Sequence, residues 1–186
     1  MNRRLGILVL MVTLGGCRDR RIIQPTLALP RVGDPVPTFD LALRDTGRLA
    51  STELRGRPSV LFLWSTHCPT SRRALAEYRD LQRAYADRAT IVLLSDDESA
   101  KELALLPKVL TDSAVGGHVA LAHGELAKLF DRSSTAPERD TARVEFVLPA
   151  YVVLDSTGRV ADRSWGPDAA TVRRTLDRLL ESRPAT

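Results

Sequence analysis

Three patterns of apolar and polar positions recur along the chain, and each predicts a different element. Phe39, Leu41 and Leu43 alternate with Asp40, Ala42 and Arg44, which predicts a strand with one face inward. Asp45-Thr46-Gly47 supplies a turn, Arg48-Leu49-Ala50 a returning strand, and Ser51 or Thr52 a short helical turn that Gly56 ends. Ser59 to Trp64 is apolar without alternation, as is Ala89 to Leu94, the pattern of strands buried on both faces. Between them Leu75, Tyr78, Leu81, Gln82 and Tyr85 recur at helical spacing among arginines and acids. The connection is long enough for a right-handed crossover between parallel strands.

Ser95-Asp96-Asp97-Glu98 is expected to cap a further helix, from Lys101 to Pro107. Beyond it the pattern predicts a small strand at Val109-Leu110 and a loop at Gly116-Gly117-His118. A helix is expected from His123 to Phe130 and a polar, exposed excursion over 131–145. Ala150 to Leu154 reads as a strand, Asp155 to Gly158 as a turn, and Arg159 to Arg163 as the returning strand. Pro167-Asp168 starts a last helix, with Asp168 as its cap and Val172, Leu176, Leu179 and Leu180 on its apolar face. The sum is an α/β domain over 31–183, a mixed sheet flanked by helices on both faces, with neither an internal repeat nor a second domain.

Composition adds limits. A chain of 186 residues, 44% apolar and 27% charged, can bury the core of one domain and is not globally disordered. The formal charge of +4 falls to about +2 without Arg3 and Arg4. The arginines are dispersed and only 3 lysines occur, so no stripe forms that would bind nucleic acid.

The first residues read as an address. Met1-Asn2-Arg3-Arg4 is followed by the apolar run Leu5 to Leu14 and then Gly15-Gly16-Cys17. About a dozen residues is too short to cross roughly 30 Å of hydrocarbon but suits a signal-peptide core. Leu14-Gly15-Gly16-Cys17 resembles the bacterial lipobox, whose cysteine is acylated and becomes the new N-terminus. The expectation is a lipoprotein signal peptide at 1–16, an acyl anchor on Cys17 and a basic tether over 17–30, facing the periplasm. The alternative is a free signal-anchor or a wrong start, with Cys17 incidental. Asp19 resembles an inner-membrane retention signal of some enteric bacteria, a rule that leaves the choice of membrane open.

With Cys17 acylated, Cys68 is the one thiol left of two cysteines, in an oxidising compartment. It lies in Trp64-Ser65-Thr66-His67-Cys68-Pro69-Thr70-Ser71, between a buried strand and an amphipathic helix. A cysteine there meets unpaired N–H groups and the positive end of the helix dipole, which favour thiolate. His67, if protonated, and Arg72 and Arg73 add positive charge. Pro69 suits a first helical turn, which puts Cys68 at or near the N-cap. The competing reading is a buried, inert cysteine.

This block resembles the active-site segment of thioredoxin-fold proteins, in particular the membrane-tethered TlpA/ResA-like thiol–disulfide oxidoreductases and the AhpC/TSA group. Their Trp-Ala-Thr-Trp-Cys-Pro-Pro-Cys is matched by Trp64, Thr66, Cys68 and Pro69, with His67 in place of the second tryptophan. Val32 to Phe39 resembles their opening, and Leu148 to Gly158 their Val-Pro-Thr-Thr-Phe-Leu-Ile-Asp-x-x-Gly stretch. The resemblance implies a thioredoxin-like fold, Cys68 as nucleophile, and Pro149 as a cis-proline beside it. Ile91 to Asp96 bears a weaker likeness to the accessory protein of methylamine dehydrogenase maturation. Ser71 stands where the resolving cysteine belongs, and a serine cannot release a mixed disulfide, although it can donate a hydrogen bond to the thiolate.

Three functions compete. The first is monothiol exchange at Cys68 on a protein thiol or disulfide, resolved by an external thiol or reductant. The second is a one-cysteine peroxidase. Ser65 fits its pattern, Leu61 replaces its proline, and its arginine would have to be Arg143, Arg159 or Arg163. The third is a binding or assembly module without turnover. No cofactor is expected. His67, His118 and His123 have no metal-site spacing with one another or with Cys68, so no metal is expected either.

Overall fold

The computed structural model describes residues 30–45, 47–122, 148–166 and 168–182. The expected leader, Cys17, the tether up to residue 29, the helix at 123–130 and the excursion at 131–145 lie outside them. The elements are β1 (Asp40–Leu43), β2 (Arg48–Ala50), a 3-10 turn (Ser51–Leu54), β3 (Ser59–Trp64), α1 (Pro69–Tyr85), β4 (Thr90–Ser95), α2 (Ala100–Asp112), β5 (His118–Leu121), β6 (Ala150–Leu154), β7 (Val160–Trp165) and α3 (Ala169–Glu181).

The seven strands form one mixed sheet in the order β2-β1-β5-β4-β3-β6-β7. β3, β4 and β5 are parallel, and antiparallel pairs close both flanks, β1 with β5 and β6 with β3. The unbroken apolar runs divide by parity. Val60, Phe62, Trp64, Ile91, Leu93, Tyr151 and Val153 face one side, where α1, α2 and α3 pack on them through Leu75, Leu81, Leu106, Leu110, Val172 and Leu176. Leu61, Leu63, Val92, Leu94, Val152 and Leu154 face the other, with Phe39, Leu49 and Leu54. Phe62 stacks between Tyr78 and Tyr151, with ring centroids 5.6 and 4.6 Å away. Burial raises the Tyr78 phenol far above its ordinary value, and its hydroxyl donates to the Ile91 carbonyl at 3.2 Å.

Three local expectations are corrected. α2 does not stop at Pro107, and Val109-Leu110 is not a strand, because the helix runs on to Asp112. An interior proline costs about 3 kcal/mol. Leu110, four residues after Leu106 on the same face and likewise buried, returns about 1.5–3 kcal/mol that is gained only if the helix continues. The cap of α2 is Ser99, whose hydroxyl accepts from the Glu102 amide while the Glu102 carboxylate accepts from the Ser99 amide, a capping box one turn later than expected. His118 opens β5 rather than ending a loop. Four residues with one polar member carry no periodic signal, and pairing on both sides makes them a strand.

Asp168 caps α3 as expected, accepting from the Thr171 amide at 3.0 Å. That hydrogen bond, with the Thr171 hydroxyl, holds its carboxyl below the usual carboxylate value. Burial raises the Asp155 carboxyl, but the Thr157 hydroxyl and the amides of Arg159, Thr157 and Gly158 outweigh it and leave it lowered. Both groups therefore add stability that is complete above the ordinary carboxylate range and lost as pH falls through their lowered values. Unfolding free energy is expected to drop steadily below about pH 4, and Asp168→Asn should flatten that drop in urea titrations at several pH values. Pro107→Ala should raise stability by about 1–2 kcal/mol, the restored helix bond outweighing the freer unfolded chain. Equal or lower stability in urea would show that the proline carries no helical penalty here.

Candidate functional site

β3 and β4 pair in register over their whole lengths, with Trp64 opposite Ser95. The loops that leave their C-terminal ends therefore emerge side by side, residues 65–68 against residues 96–99. In open α/β sheets this edge is where ligands bind.

Cys68 is the N-cap of α1, in extended conformation, with Pro69 at the first helical position and no acid in the first turn. The free amides of Thr70 and Ser71 thus have no carboxylate to satisfy them. Cys68 is partly buried. Its thiol donates to the Leu148 carbonyl at 3.6 Å, and the Leu148–Pro149 peptide is cis. Pro149 is buried, and its carbonyl accepts from the Gly166 amide at 2.8 Å, which ties the proline to the end of β7. The chain thus brings Cys68 and Pro149, 81 positions apart, to one place. Ser71 lies one turn beyond Cys68, fully buried, and its hydroxyl has no hydrogen-bond partner among the described residues. In this structure the thiol faces the Leu148 carbonyl instead of Ser71.

His67 is the exposed member of the loop, and it does not stand as free positive charge. Its Nδ1 lies 3.3 Å from Glu102 Oε1 and 3.8 Å from Asp97 Oδ1, while Nε2 lies 3.4 Å from Ser65 Oγ. Arg72 and Arg73 point away from the core and line an open groove of about 410 Å³ with Pro69, Val109, Asp112 and Ser113. Arg159 and Arg163, the peroxidase arginines that fall among the described residues, donate to the carbonyls of Gly33 and Pro30. Arg143 and His123 lie outside the described residues.

Asp97 is the residue whose place the linear pattern misassigned. It does not cap α2. Its carboxylate is wholly buried and accepts from the Thr66 amide at 2.8 Å, the Thr66 hydroxyl at 2.9 Å and the Ser95 hydroxyl at 2.6 Å. It fastens the cysteine loop to the end of β4. The signal that could have found it is topological: a polar residue two places after a buried strand whose parallel neighbour carries the cysteine.

Asp97→Ala leaves three buried donors without their acceptor. At about 1–3 kcal/mol for each unsatisfied group, less whatever water repairs, the expected loss is roughly 2–4 kcal/mol in denaturant titration. Exchange of the Thr66 amide should quicken more than that of Leu93. A loss spread evenly over the sheet would show that Asp97 does not hold the loop in particular.

The family model for the AhpC/TSA family matches residues 32–163. Among solved structures, a thiol:disulfide interchange protein of the thioredoxin family from Chlorobium tepidum TLS is similar over 82% of this chain and 99% of its own, with 22% identity and a TM-score of 0.64. A putative protein disulfide isomerase from Bacteroides thetaiotaomicron is similar over 86% and 96%, with 15% identity and a TM-score of 0.67. StoA from Bacillus subtilis is similar over 77% and 98%, with 16% identity and a TM-score of 0.59. At these identities the likenesses establish a thioredoxin-like fold. The family match spans most of the chain, from the Val32 opening through the cysteine loop and cis-proline to Arg163, and the protein belongs to the AhpC/TSA family.

Proposed function

We propose that this protein exchanges disulfides through a single thiol, Cys68, with an external thiol completing each cycle. The observation that carries this reading is the setting of Cys68: the N-cap of α1, against the carbonyl that precedes cis Pro149, with a serine one turn on. The thiolate sulfur of Cys68 attacks one sulfur of a substrate disulfide. A Cys68–substrate disulfide forms, the substrate S–S bond breaks, and the other sulfur leaves as thiolate and takes up a proton. A second thiolate, from outside the chain, then attacks the substrate sulfur of the mixed disulfide and expels Cys68 as thiolate. Ser71 has no sulfur with which to do this. Membership of the AhpC/TSA family supports the reading, as do fold relatives named as interchange proteins.

The protein substrate extends along the cis-proline, and the external partner is a thiol donor or reductant. The place of work is the extracytoplasmic face of a membrane, with the chain held by acylated Cys17. Supporting this are the basic start, the short apolar run and Gly15-Gly16-Cys17. Two acyl chains or more make a firm anchor, since each buried methylene adds about 0.8 kcal/mol. No helix among the described residues is long and apolar enough to cross a membrane.

The test uses the full chain with Cys17→Ser, so that Cys68 is the sole thiol. Oxidised glutathione should add one glutathione, mapped by mass spectrometry to Cys68 and released by excess reduced thiol; Cys68→Ala should take up none. Ser71→Cys should convert the accumulated adduct into an internal disulfide and lower its yield at least about tenfold. A native Cys68 that reacts only after unfolding would sink the exchange reading and leave a binding module. Turnover of peroxide without a stable adduct would favour the peroxidase instead.

A further inference from the structure

We propose that His67, Glu102 and Asp97 form a binding site for a divalent transition ion of the zinc type, at the edge of the Cys68 loop. Nδ1 of His67, one oxygen of Glu102 and one oxygen of Asp97 all lie within 4.8 Å of one another. Metal–ligand bonds of 2.0–2.2 Å place neighbouring ligand atoms about 3.0–3.5 Å apart. The His67–Glu102 separation of 3.3 Å meets that spacing; Asp97 lies 3.8 Å from His67 and within 4.8 Å of Glu102, so it moves inward when an ion binds.

The charges call for a cation. Glu102 and Asp97 set two carboxylates beside the single imidazole of His67. Among the described residues no lysine or arginine forms an ion pair with Glu102 or Asp97. An imidazolium supplies at most one positive charge against two carboxylates; a divalent ion offsets both. A mixed nitrogen and oxygen set with one imidazole suits zinc and its neighbours better than magnesium or calcium.

The surroundings are those of a ligand set held in place. Ser65 Oγ lies 3.4 Å from His67 Nε2, so it can take that N–H and leave the Nδ1 lone pair facing the two carboxylates. Glu102 is held through Oε2 by the amides of Glu98 and Ser99, which leaves Oε1 for a metal. Thr66 and Ser95 orient Asp97, and the Thr66 hydroxyl is the donor that would yield a lone pair. Asp97 is buried while the His67 side chain is 47% exposed, so the site is anchored on one side and open to solvent on the other. The three ligands come from the β3–α1 loop, the β4–α2 loop and the first turn of α2. A bound ion would clamp the cysteine loop to α2.

The experiment is zinc binding by equilibrium dialysis, on the full chain with Cys17→Ser. One zinc per chain is expected, retained in Cys68→Ser and weakened at least about tenfold in both His67→Asn and Glu102→Gln. Glu102→Gln keeps the capping box, and His67 is exposed, so neither change threatens the fold; circular dichroism verifies this. Zinc should also raise the Tm of the parent and of Cys68→Ser, and not that of His67→Asn. Binding that vanishes in Cys68→Ser and survives in His67→Asn overturns the proposal in favour of simple thiol capture. Equal affinity in all variants, or no saturation up to about 1 mM, overturns it as well.

Discussion

The in-register parallel pairing of β3 with β4 is the constraint on which the site depends. Two strands that end together, Trp64 beside Ser95, release two loops onto the same edge of the sheet. One loop carries His67 and Cys68 and turns at once into α1. The other carries Asp97 and turns into α2. Hydrogen bonds of 2.6–2.9 Å from Thr66 and Ser95 to a buried carboxylate then lock the two loops together. A low-dielectric surrounding strengthens such bonds and makes their loss expensive.

The pairing on the other side of β3 completes the arrangement. β6 runs antiparallel to β3, with Leu63 opposite Ala150, so the residues just before β6 arrive at the C-terminal end of β3. Those residues are Leu148 and Pro149, and this is why the Leu148 carbonyl meets the Cys68 thiol. A central strand with a parallel neighbour on one side and an antiparallel one on the other thus collects three separate segments at one edge. The thiol, the cis-proline and the His67 cluster are consequences of strand order more than of local sequence.

α2 illustrates how tertiary burial overrides a local signal. A proline in a helix loses a hydrogen bond and crowds the preceding turn, and read locally it marks an end. Leu110 joins Leu106 in the core only if the helix continues past the proline, and its burial offsets most of the penalty. The capping residues moved by the same logic. Asp97 had the right chemistry for a cap, but a buried acceptor was needed two residues after β4, and Ser99 with Glu102 caps the helix at no further cost to the core.

Read alone, the chain was enough to specify the α/β class, the buried strands read at 59–64 and, within a residue at each end, 89–94, the crossover helix, the closing hairpin and Cys68 at a helix N-cap. Those features follow from periodicity, turn residues and proline placement, all of which act over a few positions. It was also enough to mark Pro149 as cis, through resemblance of the surrounding motif. Tertiary structure alone decided what touches Cys68, where Asp97 points and which carboxylates surround His67. His67 and Glu102 are 35 positions apart, and Cys68 and Leu148 are 80 apart. No local pattern encodes such distances, because they are set by strand order, register and handedness of crossover, which emerge only when the whole sheet is assembled.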